Sequence, residues 1–245
     1  MKAIKTILAV CLMTVATAAN AQKTYVHITY NGTQYEFASD GITSMTMDTK
    51  ARIGTGIAKA KLNGTDEVDV TWVQLWAGGP KWATINIGVT STSATGTDLY
   101  GGHYCWGKTK DNGDKNEYCS STTDISGTDD DTAKNIWGSN WRMPTSQDFT
   151  DLLDSQYCES QIVYASYEQP AGVKFTGKGD YSSNSVFFPK AGYSYDGISH
   201  NDSQANYWSS TPYDDYAYYL YFESIGRVYG GDRNHGYSVR AVLAE

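Results

Sequence analysis

The chain is short of charge, short of cysteine, and without a long apolar run after its first residues. Only 19% of its 245 residues are charged and the net charge is −8. No basic stripe is present, which excludes a nucleic-acid partner, because phosphates are held by clustered Lys and Arg. The acidity fits solubility outside the cell. Of the four cysteines none forms a C-x-x-C pair or joins a Cys/His cluster, so a zinc site is excluded. No cofactor is expected. No later stretch approaches the ~20 apolar residues that a membrane span requires, so no transmembrane segment is expected in the mature chain. What is present excludes disorder: 40% of residues are hydrophobic and seven are Trp. The length suits one large domain, or a medium domain with a small companion.

Lys2 and Lys5 precede the apolar run Ile7-Leu8-Ala9-Val10-Cys11-Leu12-Met13, which ends in Ala19-Asn20-Ala21 before Gln22. A charged start, a short apolar middle and an A-x-A site predict a secretory signal peptide over residues 1–21. A lipid anchor needs Cys at the cleavage point, where Gln22 stands. The expectation is an exported chain at the cell surface, in the periplasm or secreted. Cleavage leaves Cys105, Cys119 and Cys158, and export to an oxidising compartment predicts one disulfide. Cys105 and Cys119 are the favoured pair, being close in sequence around a turn-rich segment; the other two pairings stay open.

Tyr25–Tyr30 and Thr33–Phe37 are β-prone runs joined by Asn31-Gly32, the signature of a tight hairpin. They define a small β module over residues 22–47. Residues 48–67 lose aromatics and read as a linker with room for a weak strand or helix. From Val68 the texture turns to Trp, Gly and short apolar runs. Strands are expected at 70–75, 82–87, 185–189, 218–222 and 239–243, with a polar surface loop from Lys108 to Asp129. Asp131 is placed to cap a helix over 132–137, and Pro144-Thr145 to start another over 146–156. Few helices, many short strands and long loops predict an α+β domain over 68–245.

Six motifs then fall in one order: Lys81-Trp82-Ala83-Thr84-Ile85-Asn86-Ile87-Gly88, Tyr104-Cys105-Trp106-Gly107, Trp137-Gly138-Ser139-Asn140-Trp141-Arg142-Met143-Pro144, Phe187-Phe188-Pro189-Lys190-Ala191-Gly192-Tyr193, Tyr207-Trp208-Ser209-Ser210, and Ser238-Val239-Arg240-Ala241-Val242. Together they resemble the Fibrobacter succinogenes major paralogous domain of exported Bacteroidetes proteins. The resemblance implies a C-type-lectin-like fold, related to formylglycine-generating enzymes and to retroelement variable proteins. It also implies that the Trp-Arg-Met-Pro segment leads into a core helix and that the last strand closes the sheet. The catalytic cysteine pair of the formylglycine-generating relatives has no counterpart, since the last cysteine is Cys158. His27, His103, His200 and His235 are scattered, so the chain is not expected to be an enzyme. Calcium-dependent sugar binding is not expected either: Gln169-Pro170-Ala171 lacks the carboxylate and no Trp-Asn-Asp follows. Asp129-Asp130-Asp131 reads as a helix-capping loop rather than a cation site.

Ten of the 20 tyrosines lie between Tyr193 and Tyr237, among Asp, Asn, Ser and Gly. Buried phenols need partners, whereas Tyr with small polar residues makes a good contact surface. Alternation in 218–222 puts Leu220 and Phe222 inward with Tyr218, and Tyr219 and Tyr221 outward. The candidate ligand-binding set is Tyr213, Asp214, Asp215, Tyr216, Tyr219, Tyr221, Glu223, Arg227, Tyr229, Asp232, Asn234 and His235. Trp208, Leu220, Phe222 and Ser238-Val239-Arg240 are its expected framework, with Arg240 holding a buried hydrogen bond. The expected function is non-enzymatic recognition of a protein or glycan ligand. The resemblance adds that such a surface can be diversified by a retroelement. The alternative is a structural or assembly component of the bacterial cell envelope.

Overall fold

The computed structural model describes residues 53–62, 64, 66–112, 116–200, 204–223 and 226–244, together with the strands at 14–16, 25–30 and 33–38. It divides into two compact units, Met1–Lys50 and Ala51–Glu245. In the first, β1 (Thr14–Ala16), β2 (Tyr25–Tyr30) and β3 (Thr33–Ala38) form an antiparallel sheet in that order. Tyr30 pairs with Thr33, as a two-residue hairpin turn requires, and Asn31-Gly32 lies outside the described residues. The signal-peptide expectation falls on residues 1–21, of which only the backbone of Thr14–Ala16 is described.

In chain order the second unit contains β4 (Thr55–Lys61), β5 (Glu67–Gln74), β6 (Lys81–Ala83), α1 (Thr132–Trp137), β7 (Trp141–Arg142), α2 (Ser146–Leu153) and β8 (Cys158–Val163). It continues with β9 (Gly172–Gly177), β10 (Ser185–Pro189), β11 (Tyr193–Tyr195), β12 (Ile198–His200), β13 (Ala205–Tyr213), β14 (Tyr216–Phe222), β15 (Gly226–Asp232) and β16 (Val242–Leu243). Four sheets result, ordered β4-β5-β6-β16-β7, β10-β9-β8, β11-β12 and β13-β14-β15. All their strand pairs are antiparallel.

This corrects the expected α+β, C-type-lectin-like class. The unit is predominantly β, and α1 and α2 have only six and eight residues. Each stops within about two turns, at Gly138 and Asp154, so neither forms a layer of its own. The stretch expected to be a linker also differs. Its residues 55–61 are β4, paired along their whole length with β5.

Both helices start where side-chain chemistry places them. Asp131 is buried and accepts from Ala133 N at 2.8 Å and Lys134 N at 3.1 Å through one oxygen. Its other oxygen accepts from Gly127 N at 2.7 Å and Met143 N at 2.9 Å. Thr145 and Asp148 make a capping box at α2, and Arg142 pairs with Asp148 at 3.1 Å.

The interior has two clusters. One gathers Trp106, Trp137, Trp141, Trp208, Tyr237 and Val239, and the other Trp82, Phe149, Phe175, Phe188, Tyr207, Leu220 and Phe222. Strand β13 separates them: neighbours Tyr207 and Trp208 point to opposite faces and so enter different clusters. Arg240 is buried beside them. It donates to Asn86 Oδ1 at 2.8 Å and to the carbonyls of Ala83 and Phe187 at 2.9 Å, with its guanidinium over the Phe188 ring. Burial pulls its pKa down to about 10. Tyr207 Oη donates to the Pro189 carbonyl at 2.8 Å and accepts from Asn86 at 3.1 Å.

The expected Cys105–Cys119 bridge is not formed. Cys119 and Cys158 are buried thiols. Cys105 Sγ donates to the Asn234 carbonyl at 3.3 Å, while Cys119 Sγ accepts from Ser121 N at 3.4 Å. Each sulfur has a backbone partner of its own, although Cys119 N donates to the carbonyl of Trp106, next to Cys105.

Candidate functional site

The candidate residues are carried by β14 and β15, with the turns and loops around them. Two residues, Asp214-Asp215, join β13 to β14, with Tyr213 paired to Tyr216. Asp214 sits at φ +49, the left-handed turn conformation that Asp tolerates better than most side chains. Across the next pair Tyr219 faces Tyr229 and Tyr221 faces Arg227. None of the twelve candidate residues is buried.

Leu220 and Phe222 enter the core as the alternation requires, and Tyr218 on the same face stacks on Tyr213 at 4.9 Å. The opposite face changes character along its length. Ala217 is buried against the Trp208 cluster. Tyr219 is half-buried, 5.9 Å from the Trp208 ring and 4.7 Å from Tyr237, whose hydroxyl it hydrogen-bonds. Beyond it Tyr221 and Tyr229 reach solvent. Tyr219, Tyr221 and Tyr229 form a triangle with ring centroids 6.5, 6.1 and 6.5 Å apart. Two polar contacts edge it: Tyr221 Oη donates to Glu223 Oε2 at 3.2 Å, and Arg227 Nη1 donates to Tyr229 Oη at 2.7 Å.

Glycine seats these rings. A Cβ on Gly231 would stand 3.0 Å from the Tyr219 ring and 3.2 Å from that of Tyr237. On Gly230 it would meet the Tyr213 ring at 2.6 Å. The pair lets aromatic side chains lie flat across strand β15, where any other residue would push them off.

The remaining candidates gather at the turn end of the hairpin, away from the triangle along the strands. There Arg233 is buried and fixes the local frame. It donates to the carbonyls of Tyr216 (2.9 Å), Cys119 (3.0 Å), Ser121 (2.8 Å) and Asp214 (2.8 Å), and lies 4.4 Å over the Trp106 ring. Asp215, Tyr216, Asp232 and Asn234 line a small cleft with Arg233 and Tyr118. His235 stands between the groups, stacked on Tyr195 at 4.9 Å, with Nδ1 at 3.9 Å from Asp232 Oδ2.

Sequence reasoning missed Tyr118, Tyr195, Arg233 and Tyr237. Tyr118 lies in the long polar loop, where one aromatic carries no periodicity. Arg233 gave a usable signal, a lone cation between Asp232 and Asn234 in a Gly-rich turn. Among the described residues no group of three or more His, Cys, Asp or Glu could hold a metal ion. Asp131, the last of the aspartate run, has both oxygens occupied by backbone N–H groups. His103 is buried with Nε2 at 2.9 Å from the Ala191 carbonyl, and burial lowers its pKa. No helix among the described residues is long and apolar enough to cross a membrane.

A family model described as the Lcl C-terminal domain matches residues 95–243, which take in both helices and the whole candidate surface. The chain matches none of the curated proteins and none of the solved structures with which it was compared.

Proposed function

The chain belongs to the family of Lcl C-terminal domains; we propose that it is an exported, non-enzymatic recognition protein that displays a contact surface on strands β14 and β15. The observation that carries this reading is the Tyr219–Tyr221–Tyr229 triangle, edged by Glu223 and Arg227 and anchored on Trp208 and Tyr237. Rigid aromatic planes beside hydrogen-bonding groups are the chemistry of binding hot spots. The finer resemblance of the motifs to the major paralogous domain of exported proteins supports the same reading, as does the signal-peptide pattern of residues 1–21.

The test is a protein and glycan array probed with the chain from Gln22, followed by variants of the surface. Tyr221→Ala and Tyr229→Ala should each weaken the captured ligand roughly ten- to thirtyfold with little change in melting temperature. Unchanged binding in both variants sinks the proposal. Stable self-assembly with no ligand captured would instead favour an envelope-assembly component. The Tyr, Asp, Asn and His content of the surface also supports diversification by a retroelement. That part fails if the flanking DNA holds neither an imperfect repeat of this segment nor a reverse-transcriptase gene.

A further inference from the structure

The cleft at the turn end of the hairpin has chemistry of its own. Its volume is about 180 Å³ and Tyr118, Asp215, Tyr216, Asp232, Arg233 and Asn234 line it. Tyr118 and Tyr216 are 45% and 44% exposed, so their rings are available for contact. The polar lining is rich in acceptors. Ionised carboxylates accept hydrogen bonds and donate none. Among the described residues Asp215 has no ion-pair partner, and Asp232 has only His235 at 3.9 Å. Asn234 Oδ1 is buried without a hydrogen-bond partner, and so is His235 Nδ1 next to it.

Arg233 is the one cation in the lining, and its nitrogens are committed to four backbone carbonyls. Four of its five N–H groups are thus used, so it supplies mainly positive charge, with one Nη2 N–H left over. Two carboxylates repel an anionic ligand, while the guanidinium beside them removes much of the demand for a cationic one. A fitting ligand brings several hydroxyl donors, one apolar face for a tyrosine ring, and no charge.

We propose that this cleft binds one neutral sugar ring of a glycan, without calcium. Its hydroxyls donate to the carboxylates of Asp215 and Asp232, and its C–H face lies against Tyr118 or Tyr216. The site is preformed, because Arg233 ties the 214–216 turn to the 119–121 loop. This assignment rests on the recognition reading above and places its ligand at the end of the hairpin rather than on the tyrosine triangle.

The experiment is saturation-transfer NMR of the full chain with glucose, galactose, mannose and N-acetylglucosamine and their linked trimers, all in EDTA. At least one neutral sugar should bind. Tyr118→Ala and Asp215→Asn should each weaken it about tenfold or more, whereas Tyr164→Ala, at an exposed tyrosine outside the cleft, should leave it unchanged. Both cleft residues are exposed, and an unchanged melting temperature confirms that the variants are folded. Silence across the panel overturns the assignment, as does binding that survives both cleft variants. A protein captured on the array and lost with Tyr221→Ala and Tyr229→Ala, while the sugars stay silent, overturns the cleft and leaves the recognition reading standing. Failure of both ligand classes removes the two together.

Discussion

Tyr104, Tyr207 and Tyr237 carry their phenols into the interior, and that gives the fold a weakness at high pH. Burial raises all three pKa values, Tyr207 to about 12, and for Tyr237 the neighbouring Tyr219 adds to the effect. The folded protein keeps these groups neutral where the unfolded chain ionises them, near the ordinary value of ~10. Their contribution is therefore complete below pH ~10 and is lost as pH climbs toward the folded values, at about 1.4 kcal/mol per pH unit for each tyrosine. Denaturant melts between pH 9 and 12 should show this decline. Phenolate absorbance should show a set of tyrosines that ionises only as the protein unfolds. If every tyrosine titrates near pH 10 in the native state, these burial assignments are wrong. The roles of Tyr207 and Arg240 were only half legible in sequence. Arg240 was expected as framework and Tyr207 only stood within a motif, and their acceptors at Pro189, Phe187, Ala83 and Asn86 come from distant segments that no local pattern connects.

At the scale of the element, β14 shows how far alternation can be trusted. Period two placed Leu220 and Phe222 in the core, but it also predicted one open face through Tyr219 and Tyr221. The structure opens that face only toward Tyr221. Nearer the turn, Trp208 and Tyr237 cover it and bury Ala217 and half of Tyr219. A register shift in β13 between Trp208 and Pro212 coincides with that change, and a bulge is invisible to a hydrophobicity pattern. β4 escaped for a related reason. Ile57 is exposed while small Ala60 is the buried residue, so its sequence reads as weak although its pairing is complete. The helix starts were legible because capping uses neighbouring residues. Gly231 offers a sharp test of the tyrosine platform. Gly231→Val should force the Tyr219 and Tyr237 rings apart, destabilising the protein by about 1–3 kcal/mol. It should also weaken any ligand of the triangle, read as a lower melting temperature together with a higher Kd. A neutral result on both would show that the rings do not rest on this strand.

For the molecule as a whole, the two clusters are tied by β13 and by the strand at the C-terminal end. Val242 pairs with Trp82 on one side and Arg142 on the other, so β16 fills the gap between β6 and β7. Val242→Asp should put an unpaired carboxylate into the interior beside Trp82 and prevent folding, seen as loss of the cooperative melt. A normal melt would mean that the sheet closes without this strand. The thiols tell against a fold stapled by disulfides: Cys119 and Cys158 are buried, and burial pushes the Cys158 thiol up to about 11. Sequence order suggested a staple because nothing in it reveals that each sulfur takes a backbone partner of its own.

The place of β16 also has a meaning in time. Its pairings join residues far apart in the chain: Val242 meets Trp82 on one edge and Arg142 on the other. Closing such long loops costs more chain entropy than zipping a hairpin. The local hairpins should therefore form first and the five-stranded sheet last, which makes β16 the pacemaker of folding rather than its nucleus.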